Sequence, residues 1–384
     1  MRDGRDECLY KIPRHAPAAF PPCISPLRVY TTEIMSSLNG HSNGNGATHK
    51  RVLKPGVWAP IPTFLDDREE LDIATFRKHV VDLAKLGMQP VVCGSMGEAF
   101  HLTDNERVTL FKETRAALDE AGLFDTVIIA GTGANSTRAT INLCHLAASS
   151  GADVAIVIPP GYFAGAMTPL ALKTFFLEVQ ASSPIPVMLY NFPGAAGGID
   201  LSSDLIEEIA RKGSNICGVK LTCGAVGKLT RITAATATPA FADYPRKSDV
   251  APEFLTLGGF ADFLAPAVLG GRGHGAIMGL GNIYPRSLAR LFELSYKIAT
   301  DAQPSAQDLK KALELQDLVS GADASFTRAG IPGTKWYLKT HSGYPSARLR
   351  HPILEFTDEQ GRALEKEEAV VKLMEVEKSL ANNQ

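Results

Sequence analysis

A closed (β/α)8 TIM barrel with a C-terminal helical extension is the fold class this sequence predicts, on three observations. Short apolar runs alternate with amphipathic stretches of about 10 to 18 residues. The runs are continuously apolar, as strands of a parallel sheet covered on its faces must be. Eight such units fall within roughly 250 residues, the size of one barrel. An open doubly wound sheet would instead place a glycine-rich phosphate turn after the first strand, where this chain has Pro62-Thr63-Phe64-Leu65. Gly131-Thr132-Gly133 lacks a third glycine and follows the third strand, so it makes a poor dinucleotide turn.

Residues 1–50 carry few periodic apolar positions and a polar run from Ser36 to Gly46, which predicts a disordered extension. Arg2, Arg5, Lys11 and Arg14 have the character of an organellar transit peptide, but Asp3, Asp6 and Glu7 interrupt it; Met35 is an alternative start of translation. Strands are predicted at Val57–Ile61, Pro90–Cys93, Val127–Ala130, Val154–Ile158, Val187–Tyr190, Cys217–Leu221, Phe254–Leu257 and Ala276–Leu280. Helices are predicted between and after them at Ile73–Leu86, Asn105–Ala121, Ser136–Ser150, Pro169–Gln180, Asp204–Lys212, Leu229–Ala235, Phe260–Leu269 and Pro285–Thr300. Thr103 with Glu106, and Asp204 with Glu207, have capping-box spacing, while Gly87, Gly122 and Gly151 stand where helices should stop. The barrel domain thus runs over residues 51–302. In residues 303–384 the alternation ends and helices are expected at Ala306–Leu318, Lys335–Thr340 and Asp358–Leu380, punctuated by Pro332, Pro345 and Pro352. Their apolar stripes must pack on the barrel or on a neighbouring subunit.

Composition excludes several function classes. With 45% apolar residues the 384-residue chain can bury a large core, and a net charge of -2 supplies no field to gather nucleic acid or anionic lipid. No apolar run approaches the roughly 18 residues that cross a bilayer. Cys8, Cys23, Cys93, Cys144, Cys217 and Cys223 include no CxxC pair and read as reduced thiols in a cytosol-like compartment. The nine histidines are dispersed with no HExxH, HxH or Cys/His cluster at ligand spacing, so a metal site is not expected.

Lys220 carries the chemistry. It stands in the apolar run Ile216-Cys217-Gly218-Val219-Lys220-Leu221, which should exclude an ammonium because desolvating one costs several kcal/mol unless it is paired or neutralised. Burial favours the neutral amine, the form that attacks a carbonyl to make a Schiff base. Thirty residues earlier, Pro186-Val187-Met188-Leu189-Tyr190-Asn191 ends a strand of the same kind with a tyrosine in the lysine's place. Snorkelling to the surface is the bland alternative for Lys220, and a core aromatic with a wet hydroxyl for Tyr190. Catalytic groups of such barrels gather at the C-terminal ends of the strands, where this sequence offers Gly94 to Glu98, Pro159 to Tyr162, Tyr190-Asn191, Lys220 and Gly258-Gly259. No acidic pair or nucleophilic triad competes with them. His274, at the start of a strand, belongs to the opposite, stabilising face; Glu106 reads as a helix cap, Glu98 as a support of the Ser95 loop, and Cys217 and Cys223 as packing thiols.

Five ordered motifs, GSMGE (94–98), GTGANST (131–137), YNFP (190–193), GVKLT (218–222) and GAIMGLGN (275–282), resemble the Schiff-base aldolases and hydro-lyases that include dihydrodipicolinate synthase and N-acetylneuraminate lyase, over about residues 55–350. The resemblance implies that Lys220 forms the imine with pyruvate or a 2-keto acid, that Tyr190 moves the proton, and that Ser95 and Tyr162 take the places of the relay hydroxyl and the second tyrosine. It implies that Ser95 and Met96 hold the keto-acid carboxylate, with Ile277 and Gly258 lining the substrate site, and that no cofactor is needed. Relatives are commonly tetramers built as pairs of dimers, so a homo-oligomer is expected, in the cytoplasm rather than the mitochondrion.

Two departures narrow the substrate. Ala195 stands where the synthase has a carboxylate-binding arginine, and Met96 stands where it has a threonine. Both disfavour lysine biosynthesis and favour a small neutral aldehyde partner. The stretches around Tyr190 and Lys220 look like a fungal branch, L-threo-3-deoxy-hexulosonate aldolase, which releases pyruvate and L-glyceraldehyde in galacturonate breakdown. The alternatives are 4-hydroxy-2-oxoglutarate aldolase, which releases glyoxylate, a dihydrodipicolinate synthase-like lyase, and a pyruvate-binding homologue without turnover.

Overall fold

A computed structural model describes residues 50–382. The predicted disordered extension, apart from Lys50, lies outside the described residues. Eight parallel strands close into a barrel in sequence order: β1 (Gly56–Pro60), β2 (Gln89–Val92), β3 (Ile129–Gly131), β4 (Val154–Val157), β5 (Val187–Asn191), β6 (Ile216–Leu221), β7 (Leu255–Gly258) and β8 (Gly275–Ile277). The seam between β8 and β1 closes at Gly275, whose φ is +129° and whose added Cβ would lie 1.7 Å from the Gly56 carbonyl oxygen, so only glycine fits there.

The helices alternate with the strands as the apolar periodicity requires: α1 (Ile73–Lys85), α2 (Asp104–Glu120), α3 (Thr137–Ser149), α4 (Pro169–Ser182), α5 (Ser203–Lys212), α6 (Val226–Thr236), α7 (Leu264–Leu269) and α8 (Pro285–Thr300). On α1, for example, Phe76, His79, Val80 and Leu83 are the buried face, spaced as i, i+3, i+4 and i+7. The Thr103–Glu106 capping box forms as expected, and Gly87, Gly122 and Gly151 take positive φ just beyond α1, α2 and α3. The expected box at Asp204 does not form. Ser202, two residues earlier, is the cap and its hydroxyl accepts from the Leu205 amide, because the helix begins sooner than its apolar pattern. Conversely α7 starts later than predicted, since Phe260–Phe263 form the loop at the barrel mouth.

Two apolar layers result. Trp58, Val91, Ile129, Ile156, Met188, Leu257 and Ile277 fill the lumen, while the opposite strand faces pack on the helices, as Val219 and Leu221 do with Leu205 and Ile232. The C-terminal region corrects the sequence reading in two places. One helix, α9 (Ala306–Ser342), spans the first two predicted stretches and the gap between them, broken only at Gly330 with φ +62° beside Pro332. The predicted last helix is two, α10 (Asp358–Leu364) and α11 (Glu368–Asn382). Val319, Ala322, Phe326, Trp336 and Tyr337 of α9 share one core with Tyr284, Leu288 and Leu291 of the barrel.

Candidate active site

Alternation along β6 decides where Lys220 points. Val219 and Leu221 face the helix layer, so Lys220 faces the lumen near its C-terminal mouth, only 6% exposed. Among the described residues it makes no ion pair and no hydrogen bond to a carboxylate. β5 and β6 set Tyr190 directly beside it in register, and the Lys220 Nζ lies 4.3 Å from the centre of the Tyr190 ring. The phenol is 94% buried by its neighbours' side chains yet its hydroxyl reaches Ser95 Oγ at 3.3 Å. Phe192 stacks on the Tyr190 ring with centroids 5.8 Å apart. Three predicted residues from three strand ends therefore meet at one point.

The loop after β2 brings Ser95 there. Gly97 and Glu98 amides donate to the Gly94 and Ser95 carbonyls, and Ala99 also donates to Gly94, a tight turn locked by Thr63 Oγ1 on the Gly97 carbonyl at 2.7 Å. Gly97 itself is required, since a Cβ would stand 2.8 Å from the Ile61 carbonyl oxygen. The Ser95 and Met96 amides donate to no protein acceptor among the described residues, which leaves two adjacent N–H groups for an anion, the arrangement the sequence reading asked of them. The Met96 side chain crosses to the loop after β8, against Gly279. Ile277 lines the lumen beneath, fully buried, paired in register with Trp58. Gly258 ends β7 next to Leu221 of β6, with the Phe263 ring closing over it.

Tyr162 is the exception. Its side chain is 79% exposed and meets Phe163 edge to face at 4.9 Å, so this chain does not itself bring it to Lys220. The loop after β4 carries both rings outward. Thr222 was missed by the sequence reading as a site residue although it lies in the quoted motif. It sits two positions beyond Lys220, just past the end of β6, and its buried Oγ1 has no partner among the described residues. Period-two alternation alone would have pointed to it.

The remaining polar groups are structural. Asn191 donates to Asp200 at 2.7 Å and accepts from the Leu201 amide, fixing the loop after β5. Lys228 is buried and bound to Asp200, and Arg231 donates to Ser203 Oγ. Glu98 does support the Ser95 loop, but its carboxylate is held by Lys335 of α9 at 2.5 Å, a partner no local pattern announced. Glu106 is both cap and ion pair, and Arg350 holds its carboxyl down at about 2. His274 Nδ1 accepts from the Thr256 amide at 3.0 Å, tying β7 to β8. Burial pushes the Cys217 thiol up to about 12, so it is no nucleophile at neutral pH. No cluster of His, Cys, Asp and Glu suited to a metal ion occurs among the described residues.

Residues 54–370 match the model of the dihydrodipicolinate synthetase family. The chain belongs to that family. It is 41% identical over 340 residues to the L-threo-3-deoxy-hexylosonate aldolase of Aspergillus niger, covering 85% of this chain and 97% of the relative. It is 40% identical over 331 residues, 86% of this chain and 98% of the relative, to a protein of Emericella nidulans that carries the name "Probable 4-hydroxy-2-oxoglutarate aldolase, mitochondrial". A crystal structure of a family protein from Coccidioides immitis superposes with a TM-score of 0.71 at 34% identity, over 87% of this chain and all of that one. Family membership thus agrees with the barrel, the lumen lysine and the strand-end motifs.

Proposed function

We propose that the protein is a Schiff-base aldolase that cleaves L-threo-3-deoxy-hexulosonate to pyruvate and L-glyceraldehyde. The observation that carries the reading is the meeting of Lys220, Tyr190 and Ser95 in one buried mouth. The Lys220 amine attacks the C2 carbonyl and water leaves, giving a protonated imine. Tyr190 takes the proton of the C4 hydroxyl, and the C3–C4 bonding pair flows into the imine to form an enamine as the aldehyde departs. Returning that proton to C3 and adding water across the imine frees pyruvate and Lys220. Ser95 Oγ relays the proton, and the free amides of Ser95 and Met96 take the keto-acid carboxylate. Tyr162 is given no step within this chain, because its own side chain is exposed and makes no contact with Lys220 or Tyr190.

The choice of aldehyde rests on charge. A glyoxylate-releasing substrate carries a second carboxylate, but Ala195 offers it no charge, Asp200 takes the Lys228 ammonium and Arg231 lies on α6 with its Nε on Ser203 Oγ, so no cation stands on the loops after β5 and β6 among the described residues. The Emericella nidulans relative keeps 4-hydroxy-2-oxoglutarate as the second reading. No helix among the described residues is long and apolar enough to cross a membrane; a cytoplasmic homo-oligomer, dimer or tetramer, serving galacturonate breakdown accompanies the proposal. Borohydride reduction with pyruvate, followed by peptide mass measurement, tests the chemistry: a pyruvyl adduct on Lys220 is expected, and its absence rules the mechanism out. Assays of both substrates then decide the aldehyde, with kcat/KM expected at least about tenfold higher for the deoxy-hexulosonate, a gap near 1.4 kcal/mol.

A further inference from the structure

Lys335 lies on α9 just past the break at Gly330, and it and Glu98 are each 1% exposed at the side chain. Its Nζ donates to Glu98 Oε1 at 2.5 Å and to the Arg348 carbonyl at 2.6 Å, while Glu98 Oε2 accepts from the Arg350 amide at 3.3 Å. Glu98 is therefore gripped from both carboxylate oxygens by a C-terminal segment more than two hundred residues away in sequence. Its backbone is also unusual: φ +52° and ψ +35°, a left-handed conformation that costs a non-glycine residue about 1–2 kcal/mol. From that conformation its amide donates to the Ser95 carbonyl at 3.1 Å.

A buried ion pair is a poor source of net stability, and an apolar pair of the same volume would hold the two elements at least as well. What charge supplies here is direction, because the carboxylate must lie where the ammonium and the Arg350 amide converge. We propose that Lys335 is a positioning residue: acting through Glu98, it sets the Gly94–Ala99 turn and so aims the Ser95 hydroxyl and the unpaired Ser95 and Met96 amides at the substrate carboxylate. The C-terminal region is then a working part of the site. This inference rests on the role given to the Ser95 loop above.

The test is borohydride trapping of Lys220 over a range of pyruvate concentrations, in the full-length chain. Lys335→Met is expected to reach the same adduct yield at saturation but to need about tenfold more pyruvate for half of it, because the amine is untouched while the carboxylate seat is displaced. Leu373→Ala, in the core of α11 and away from the loop, serves as the control. It should lower the melting temperature yet leave the half-saturating concentration within twofold of the native value. An unchanged half-saturation in a folded Lys335→Met overturns the inference, as does an equal shift in Leu373→Ala. If Lys335→Met fails to fold, the isosteric Glu98→Gln decides alone, with at least a threefold rise expected and no rise counting against the proposal. Absence of any adduct in the native chain would instead defeat the aldolase reading itself, so the two failures are distinguishable.

Discussion

A lysine, a tyrosine and a serine separated by up to 125 positions converge because Lys220 and Tyr190 take paired inward-facing positions on neighbouring strands and the loop after β2 carries Ser95 to the same rim. Their roles separate by substitution. Lys220→Ala removes the nucleophile and should abolish both adduct and turnover. Tyr190→Phe keeps the ring against the Lys220 side chain and Phe192 but removes the proton carrier, so the pyruvate adduct should persist while kcat falls about 10²- to 10⁴-fold. Rapid-quench turnover alongside trapping measures both, and loss of the adduct in Tyr190→Phe would mean that the phenol also serves imine formation. Thr222 shows the limit of residue-scale reading. A threonine next to a strand end is unremarkable until its hydroxyl is found buried near Lys220 with no partner among the described residues.

Elements act here as holders of loops. α2 begins immediately beyond the Ser95 turn, and its capping box with Arg350 on Glu106 fixes where that turn ends. Thr103→Ala should cost about 1 kcal/mol of unfolding free energy, since it removes the cap acceptor from the Glu106 amide. Urea denaturation reads this as a lower midpoint with unchanged slope; a loss below about 0.3 kcal/mol would show that Arg350 alone holds the helix start. α9 holds a second mouth loop. Gln316 accepts from the Ala265 amide and donates to the Ala261 carbonyl, and Asp323 accepts from the amides of Ala261 and Asp262, just past Gly258 and Gly259. The break at Gly330 lets one helix serve both loops, its first part gripping the loop after β7 and its last turns carrying Lys335 to Glu98.

Across the whole molecule, two buried groups at the contacts between barrel and extension titrate in opposite senses. His79 packs between Asn282 and Tyr344: the amide nitrogen of Asn282 is spent on the Pro60 and Gly279 carbonyls, so its oxygen accepts from His79 Nε2 and the ring's Nδ1 accepts from the Tyr344 hydroxyl. Burial lowers this imidazole to about 4. The unfolded chain then binds the extra proton, and the stability present above pH 6.5 is lost as pH falls toward 4, by up to about 3 kcal/mol. Burial raises Asp323 to about 7, so its contribution is complete below about pH 4 and lost as pH rises through 7. Between pH 5 and 7 the two slopes oppose. His79→Gln should tilt the curve toward greater relative stability at pH 5, and Asp323→Asn toward greater relative stability at pH 7. Thermal midpoints of the three proteins at both pH values check this, and parallel curves would show that neither group changes protonation on unfolding.

The barrel, the order of its units and the candidate chemistry were legible because they depend on local regularities. Continuous apolar runs, helix periodicity and a lysine inside such a run are all visible within a few residues of one another. Boundaries slipped where a local pattern had two solutions, as at Ser202 against Asp204, and at Gly330 and Pro332, where residues that usually end a helix only kink one that tertiary packing sustains. Tyr162 was legible as a rim residue, but a motif carries no direction, and the loop turns the ring outward. Lys335 and Arg350 could not be found from the sequence, because their partners Glu98 and Glu106 lie more than two hundred residues away and nothing local distinguishes a buried charge from a solvated one. The sequence by itself determined which elements form and which amine is placed among apolar neighbours. Only the tertiary structure decided which groups surround that amine and what holds them there, since long-range contacts follow from closing the barrel and docking the extension rather than from any periodicity along the chain.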